Sequence, residues 1–525
     1  MPEVSEHQTP APRRRRSLEV LLVALVLALA AFLRLETLGR RPLWFDERWT
    51  QQIVVGSRGA LDVWRVGPMD HAQHPPLSYL AAYLADPSGA SAARLRLPAA
   101  IAGIASVALL IGVGASLFGS AAGLLAGFLM AISVYHVDAS QDARPYMLSV
   151  AFTIGQYGSL FAFLRTRRPP WLAALVVCTV AALYTYHLAL LHAAIGLAAG
   201  VASLAVDRAD RGGGRRSPWP WLAGAYALVA LAYLPQLPNL ERFAAESRHP
   251  APNHVLAPSL RFLHELVSRW GSDGAAPLYE ILFALGAACV LARRHLIEWG
   301  VLAWCAAPLA LFSLVPFAKY FDMRFLISGL PAFFLLVAVG GDALARGSAR
   351  GATALLRSPI SAALVRGAVL ASVAAAFAYS AAGVYAVFRA TETRCGEFVI
   401  RPEVLAADDG FCARHLVLNT ANPDQQFIVR STQAAERAVD PGALAAFVGV
   451  YEFASGGEIA ITREGDRLMA QVPGRSKYEL AAVAADEFVY RAAGGRILFV
   501  RGAGGKVAAL RLASASGDVS ARKVR

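Results

Sequence analysis

The stretch RRRRSLEVLLVALVLALAAFLRLE, residues 13–36, decides the fold. From Leu18 to Leu38 the chain is almost entirely Leu, Ala and Val, about the 20 residues that a helix needs to cross the hydrocarbon core of a bilayer. The run follows Arg13, Arg14, Arg15 and Arg16, and such basic clusters stay on the cytoplasmic side. A cleaved signal peptide would be shorter and would end in small residues. This run ends in Arg34, Leu35 and Glu36, so it reads as a retained first span with a cytoplasmic N-terminus.

Composition extends that reading to the whole chain. Of 525 residues, 56% are hydrophobic and only 17% charged, and the mean hydropathy is +0.46. A soluble cytoplasmic enzyme is excluded by that balance. The formal net charge of +13 would suit a nucleic-acid partner, but the basic residues fall in short clusters between apolar runs, so no nucleic acid is expected. The five cysteines show no zinc-like spacing.

Further spans are expected to start near Arg94, Ser120, Pro145, Trp171, His187, Trp219, Pro277, Leu296, Arg324 and Val365, about eleven in all. Counting sides from an inner N-terminus puts Arg165/Arg167/Arg168, Arg208/Arg211/Arg215/Arg216, Arg293/Arg294 and Arg346/Arg350 inside. One contrary sign is the first outer loop, which carries Arg40, Arg41, Arg48, Arg58 and Arg65. The fold class is therefore a polytopic α-helical membrane protein. A cytoplasmic tail spans 1–17, the membrane domain 18–390 with an outer loop at 39–93, a connecting segment 391–445 and a small β-meander domain 446–525. The last follows from short alternating stretches broken by Gly456-Gly457, Gly465-Asp466, Gly494-Gly495 and Gly504-Gly505. An odd number of spans places this domain outside, where Cys395 and Cys412 are candidates for a disulfide. Cys178, Cys289 and Cys305 fall in apolar spans and read as packing residues.

Polar chemistry gathers at four outer positions. The first is Trp44-Phe45-Asp46-Glu47-Arg48-Trp49, in which neighbouring acids point in different directions and one faces a site as base or cation ligand. An aromatic belt with solvated charges explains the same pattern. The second is His71, His74, Pro75, Pro76 and Tyr79, ahead of a short amphipathic segment, Leu77 to Leu84, where the histidines suit a substrate or a metal. The third runs from Tyr135 to Tyr146 and holds His136, Asp138, Asp142 and Arg144; Pro145 suits a helix start and Asp142 its positive end. The fourth is Lys319-Tyr320-Phe321-Asp322-Met323-Arg324, whose two cations suit a phosphate or snorkel at the boundary.

Taken in order, Leu43-Trp44-Phe45-Asp46-Glu47, His74-Pro75-Pro76-Leu77, Arg96-Leu97-Pro98, Ser140-Gln141-Asp142-Ala143-Arg144-Pro145-Tyr146 and Arg324-Phe325-Leu326 resemble the membrane-embedded C-type glycosyltransferases, the group of protein O-mannosyltransferases and lipid A aminoarabinose transferases. The resemblance covers about the first 340 residues. It implies a sugar donor on polyprenyl phosphate and transfer, with inversion, to an envelope lipid, glycan or protein at the outer face of a bacterial inner membrane. It also implies that Asp46, beside Glu47, is the catalytic acid of the first loop, that Asp142 stands at the second acidic motif, and that Arg324, with Lys319 and Arg144, meets the donor phosphate. Phe325 departs from the family, where Tyr is frequent. Members differ in metal use, which leaves a divalent cation open. The reading requires the first-loop acids and the basic turn to face one cavity beside the lipid. From Ala446 on, Phe447-Val448-Gly449-Val450-Tyr451-Glu452 and Arg496-Ile497-Leu498-Phe499 resemble the small β module appended to β-lactamase-like hydrolases, an accessory domain.

A transporter or lipid flippase is the rival reading. It is disfavoured because the spans are nearly free of charge, the acids sit at their ends and no inverted repeat is evident. A membrane scaffold whose β domain does the work is a third.

Overall fold

The computed structural model describes residues 13–40, 43, 45–66, 74–210, 218–247, 259–314, 323–356, 359–395, 441–453, 458–471, 478–490, 496–502, 504–513 and 519–525. The chain divides into two compact units, one of residues 1–38 and 96–385, the other of 39–95 and 386–525.

The first unit is helical: α1 (Arg13–Leu35), α5 (Ala92–Phe118, which enters from the second unit), α6 (Ser120–Ile132), α7 (Val134–Ser140), α8 (Tyr146–Thr166), α9 (Pro170–Leu183), α10 (Ala189–Asp210), α11 (Trp219–Tyr233), α12 (Leu237–Ser247), α13 (Leu260–Trp270), α14 (Ala276–Arg293), α15 (Leu296–Leu314), α16 (Leu330–Leu356) and α17 (Pro359–Cys395). Each of the eleven expected spans is a helix, but they are not equal. Among the described residues nine helices are long and apolar enough to cross a membrane, and ten if α6 and α7, bent by 64°, form one broken span. The eleventh, α9, has 14 residues, about 21 Å at 1.5 Å per residue against a core of about 30 Å.

Burial separates the hub from the periphery. α16 is 94% buried over its apolar window, whereas α17 is 11% buried and α1 17%, the exposure of apolar faces toward lipid. Close packing at the hub comes from small residues. A Cβ on Gly286 would strike the carbonyl of Leu336, and one on Gly340 would strike that of Leu282, so α14 and α16 touch backbone to backbone. Cys178 of α9, Cys289 of α14 and Cys305 of α15 are free and half-buried.

In the second unit the 39–95 segment holds α2 (Phe45–Gly56), α3 (Ala60–Val66) and α4 (Leu77–Ala85). Val63 and Tyr79 pack together with Ile53, Leu80 and Tyr83 around them. A turn clamps this segment. Asp86 accepts hydrogen bonds from the Ser88 hydroxyl (2.6 Å) and from the amide of Ser91 (2.7 Å) at the entry to α5, and Gln51 of α2 donates to the carbonyl of Gly89 (2.8 Å). Gly89 has φ +62°, a conformation that a side chain resists. The Ser88 hydroxyl first, and then the Ser91 amide, hold the Asp86 carboxyl below the usual carboxylate range. A carboxyl lowered on folding adds stability that is in place above that range and is lost as pH falls through its depressed value. Asp86→Ala is expected to speed hydrogen exchange at Ser88 and Ser91 at neutral pH, and acidification of the wild type to do the same; unchanged exchange in the variant would remove the clamp.

The C-terminal part of this unit carries β1 (Gly449–Phe453), β2 (Glu458–Glu464), β3 (Arg467–Gln471), β4 (Tyr478–Ala484), β5 (Glu487–Tyr490), β6 (Arg496–Arg501), β7 (Val507–Ala513) and β8 (Val519–Lys523). Each strand pairs antiparallel with the next, the expected meander, and β1 also pairs with β8, with Tyr451 opposite Lys523, which closes a barrel. Inward residues such as Tyr451, Ile461, Leu468, Phe488, Phe499 and Leu510 are buried. Phe447, from the Pro441–Phe447 turn, packs against Phe488 (4.9 Å) and Phe499 (4.7 Å) in the same core. Closure leaves no unpaired edge. Cys412 and the side chain of Cys395 lie outside the described residues.

Candidate active site

The third sequence cluster sits on a break in the helical bundle, and the break has an identifiable support. α6 ends at Ile132, where its last carbonyls lose their helical partners. Arg34, fully buried near the end of α1, supplies them: Nη1 donates to the carbonyl of Ala131 (3.1 Å) and Nη2 to that of Met130 (3.1 Å), while Nη1 also meets the carbonyl of Ala30 in its own helix (3.0 Å). Nη2 also donates to His136 Nδ1 at 2.7 Å. A guanidinium only donates, so Nδ1 accepts and the ring proton is assigned to Nε2. Nε2 then donates to the Ser106 hydroxyl (3.1 Å), which donates to the Gly103 carbonyl (2.8 Å). Ser133 caps α7 through the His136 amide (3.3 Å) and donates to the carbonyl of Trp270 (2.7 Å). A Cβ on Gly103 would strike Ser140 Oγ, so that glycine makes the room.

His136 therefore belongs to the scaffold rather than to a ligand set, since both ring nitrogens are engaged. The same holds for much of its motif. Ser140 donates to the His136 carbonyl (2.6 Å), and Gln141 Nε2 reaches the carbonyls of Leu33 and Arg34 (3.2 Å each) and Thr37 Oγ1 (2.9 Å). Arg96 donates to the carbonyl of Leu38 (3.0 Å). These contacts tie α1, α5 and α7 into one rigid corner. Arg34→Met would strip the carbonyls of Met130 and Ala131 and the His136 nitrogen of their donor, and is expected to cost about 3 kcal/mol of stability. Thermal unfolding in detergent checks this; an unchanged midpoint would refute the clamp.

The corner presents Asp138, half-buried, and Asp142 and Arg144, both buried, just before α8. At the first residue of α8, Tyr146 receives the fourth cluster: the Arg324 guanidinium lies 5.6 Å from its ring centroid, a cation–π contact. Arg324 is half-buried on a 3₁₀ turn, Met323–Gly329. Trp304 Nε1 anchors that turn by donating to the Ser328 carbonyl (2.7 Å), and Phe325 stacks on Phe312 (5.6 Å). The third and fourth clusters are thus brought together. On its other side Tyr146 meets Tyr186 edge-on at 5.7 Å, from a turn the sequence reading passed over.

In the second unit, Asp46 and Glu47 occupy the first turn of α2, where the helix dipole favours carboxylates. Asp46 is half-buried and Glu47 fully buried, the divergence expected of adjacent helical positions. His74 is also buried, ahead of Pro75 and Pro76 and the amphipathic α4, whose Ser78, Tyr79 and Ala82 face inward while Leu84 is exposed. His71, Lys319 and the side chain of Arg48 lie outside the described residues. Among the described residues, no group of three or more His, Cys, Asp or Glu is placed to hold a metal ion.

Residues 71–235 match the family described as dolichyl-phosphate-mannose-protein mannosyltransferase. The similarity is confined to this segment. The segment contains His74, His136, the motif from Ser140 to Tyr146, and Tyr186; Arg34, Asp46 and Arg324 lie beyond its ends. Residues 433–523, the barrel, match a domain of unknown function, DUF3471. No curated protein matches the chain. Among solved structures the chain is similar to ArnT from Cupriavidus metallidurans bound to undecaprenyl phosphate, at 16% identity and TM-score 0.46, over 70% of this chain and 75% of that one. The apo state of ArnT gives 14% identity and TM-score 0.47 over the same shares. AglB, the oligosaccharyltransferase from Archaeoglobus fulgidus in complex with an inhibitory peptide and a dolichol-phosphate, gives 12% identity and TM-score 0.48, over 70% of this chain and 56% of that one.

Proposed function

We propose that this chain is a membrane glycosyltransferase that takes a sugar from a polyprenyl-phosphate donor and passes it to an envelope lipid, glycan or protein on the outer face of a bacterial inner membrane. The observation that carries the reading is the seating of the Arg324 guanidinium on Tyr146, a residue of the segment that matches the family described as dolichyl-phosphate-mannose-protein mannosyltransferase. Breaking the bond between the anomeric carbon and a polyprenyl phosphate leaves negative charge on the phosphate. A guanidinium fixed in a partly buried, low-dielectric setting stabilises that charge as it forms, and offers the two-pronged geometry that phosphate oxygens accept. Lys319 and Arg144 serve the same phosphate in this reading.

Asp46 takes the proton from an acceptor hydroxyl as the new glycosidic bond forms. Where the acceptor is already an ionised phosphate, Asp46 orients it instead, with Glu47 buried behind it in the helix. Attack opposite the leaving phosphate in one step inverts the anomeric centre. Asp142 and His74 are assigned to substrate, as are Asp138 and His71. Basic short loops support a cytoplasmic N-terminus and an outer barrel. Mass spectrometry of envelope lipids, glycans and glycoproteins from a deletion strain tests the reading: one class is expected to lack a single sugar that the plasmid-borne gene restores. An envelope identical to wild type in all three would overturn it.

A further inference from the structure

α9 has 14 residues, and one of its ends is marked by Arg165, Arg167 and Arg168 and by Trp171, residues that settle at a membrane boundary. Its other end leads into the turn from Tyr184 to Leu188, on the side where Tyr146 and Arg324 meet, since Tyr186 touches Tyr146. Irregular backbone within a membrane domain is tolerated where it is buried in protein or lines a polar cavity. Thr185, Tyr186 and His187 are all buried.

This turn carries its own constellation. His187 is 4% exposed; its Nδ1 lies 3.3 Å from the Tyr233 hydroxyl, and its ring lies 4.9 Å from that of Phe243 on α12. Among the described residues its buried Nε2 has no hydrogen-bond partner. Close by in sequence to Tyr233, Gln236 and Asn239 are each 4% exposed, and Asn239 donates to Gln236 Oε1 (3.4 Å). Leaving an imidazole nitrogen buried and unmet is costly, and such a group is kept when a ligand completes it. Aromatic faces with an imidazole and carboxamides are groups that hold a pyranose ring: apolar faces for its C–H surfaces, planar polar groups for its hydroxyls.

We propose that the turn between α9 and α10, with the α11–α12 junction, forms a sugar-binding subsite in which His187 Nε2 hydrogen-bonds a ring hydroxyl. The inference rests on the transferase reading and gives it a second anchor: Arg324 at the phosphate, and His187 at the sugar beyond the Tyr146–Tyr186 pair.

The test uses the full-length chain in lipid nanodiscs and three probes: undecaprenyl phosphate, undecaprenyl-phosphate-mannose and methyl α-mannopyranoside. Wild type is expected to bind the mannosyl lipid about tenfold more tightly than the bare lipid, one hydrogen bond's worth. His187→Leu is expected to erase that preference while bare-lipid affinity stays put, and His187→Gln, which keeps a donor at similar reach and guards against misfolding, to retain part of it. Lipid preference and methyl mannopyranoside competition both unchanged in the two variants, or affinity for both lipids falling together, overturns the subsite. If only competition by methyl mannopyranoside depends on His187, the subsite stands and its sugar belongs to a glycan acceptor. Binding of neither lipid by wild type overturns the donor reading itself.

Discussion

Arg324→Ala is expected to lower sugar transfer from a polyprenyl-phosphate donor by 10²- to 10³-fold or thereabouts, on the order of what loss of one charge-stabilising donor costs in a water-poor site. Arg324→Lys is expected to lose about tenfold, because an ammonium keeps the charge and gives up the fork. The ordering is the diagnostic part. Arg324 also sits on the Tyr146 ring, so Ala could act merely by loosening the turn. A lysine in the same place retains a cation for the ring as well as for a phosphate, and a Tyr146→Phe control keeps the ring and isolates the hydroxyl. Initial rates with membranes carrying each variant at matched levels decide it. Equal activity of Ala, Lys and wild type would remove Arg324 from the phosphate, whatever else holds the donor.

Asp46→Asn is expected to cost about 10²- to 10⁴-fold in transfer to a hydroxyl acceptor, the usual share of a positioned general base, with insertion and folding intact. The exchange is nearly isosteric, and Asn still suits the first turn of α2, where Asp46 is half-buried, so stability is a weak source of any loss. A phosphate acceptor would shrink the effect, because no proton has to leave. Comparing Asp46→Asn with Glu47→Gln separates the two acids: the buried Glu47 is expected to show in the melting temperature at least as much as in the rate. Transport or scaffolding would survive both changes, and full activity of Asp46→Asn would sink its role as base.

Much of the architecture was legible because hydropathy is a local signal. Every expected span is a helix, and the meander was readable from turn glycines at regular intervals. What escaped were features that depend on distant partners. The Ser120 span reads as continuous, yet it breaks at Ser133, because Arg34 takes up the freed carbonyls and Ser133 reaches Trp270, 137 residues away. A buried arginine in an apolar run was itself a sign that carbonyls would need it. Barrel closure joins the first strand to the last, and Val519–Lys523 has little strand character by itself. The short α9 was countable in advance; the contacts of the turn after it, through Tyr186 and His187, came only with the packing.

The clusters of acids, histidines and arginines were found where they are by sequence, at the ends of apolar runs, because charge is expelled from lipid and has nowhere else to collect. Which of those groups are scaffold was settled by tertiary structure. His136 looked as eligible for a ligand as His74, and spends both nitrogens on Arg34 and Ser106; Arg324 looked like one more boundary cation, and lands on Tyr146. Inside a membrane protein every polar atom must find a partner within the protein or its ligand, and only the packing of helices far apart in sequence determines which partner that is.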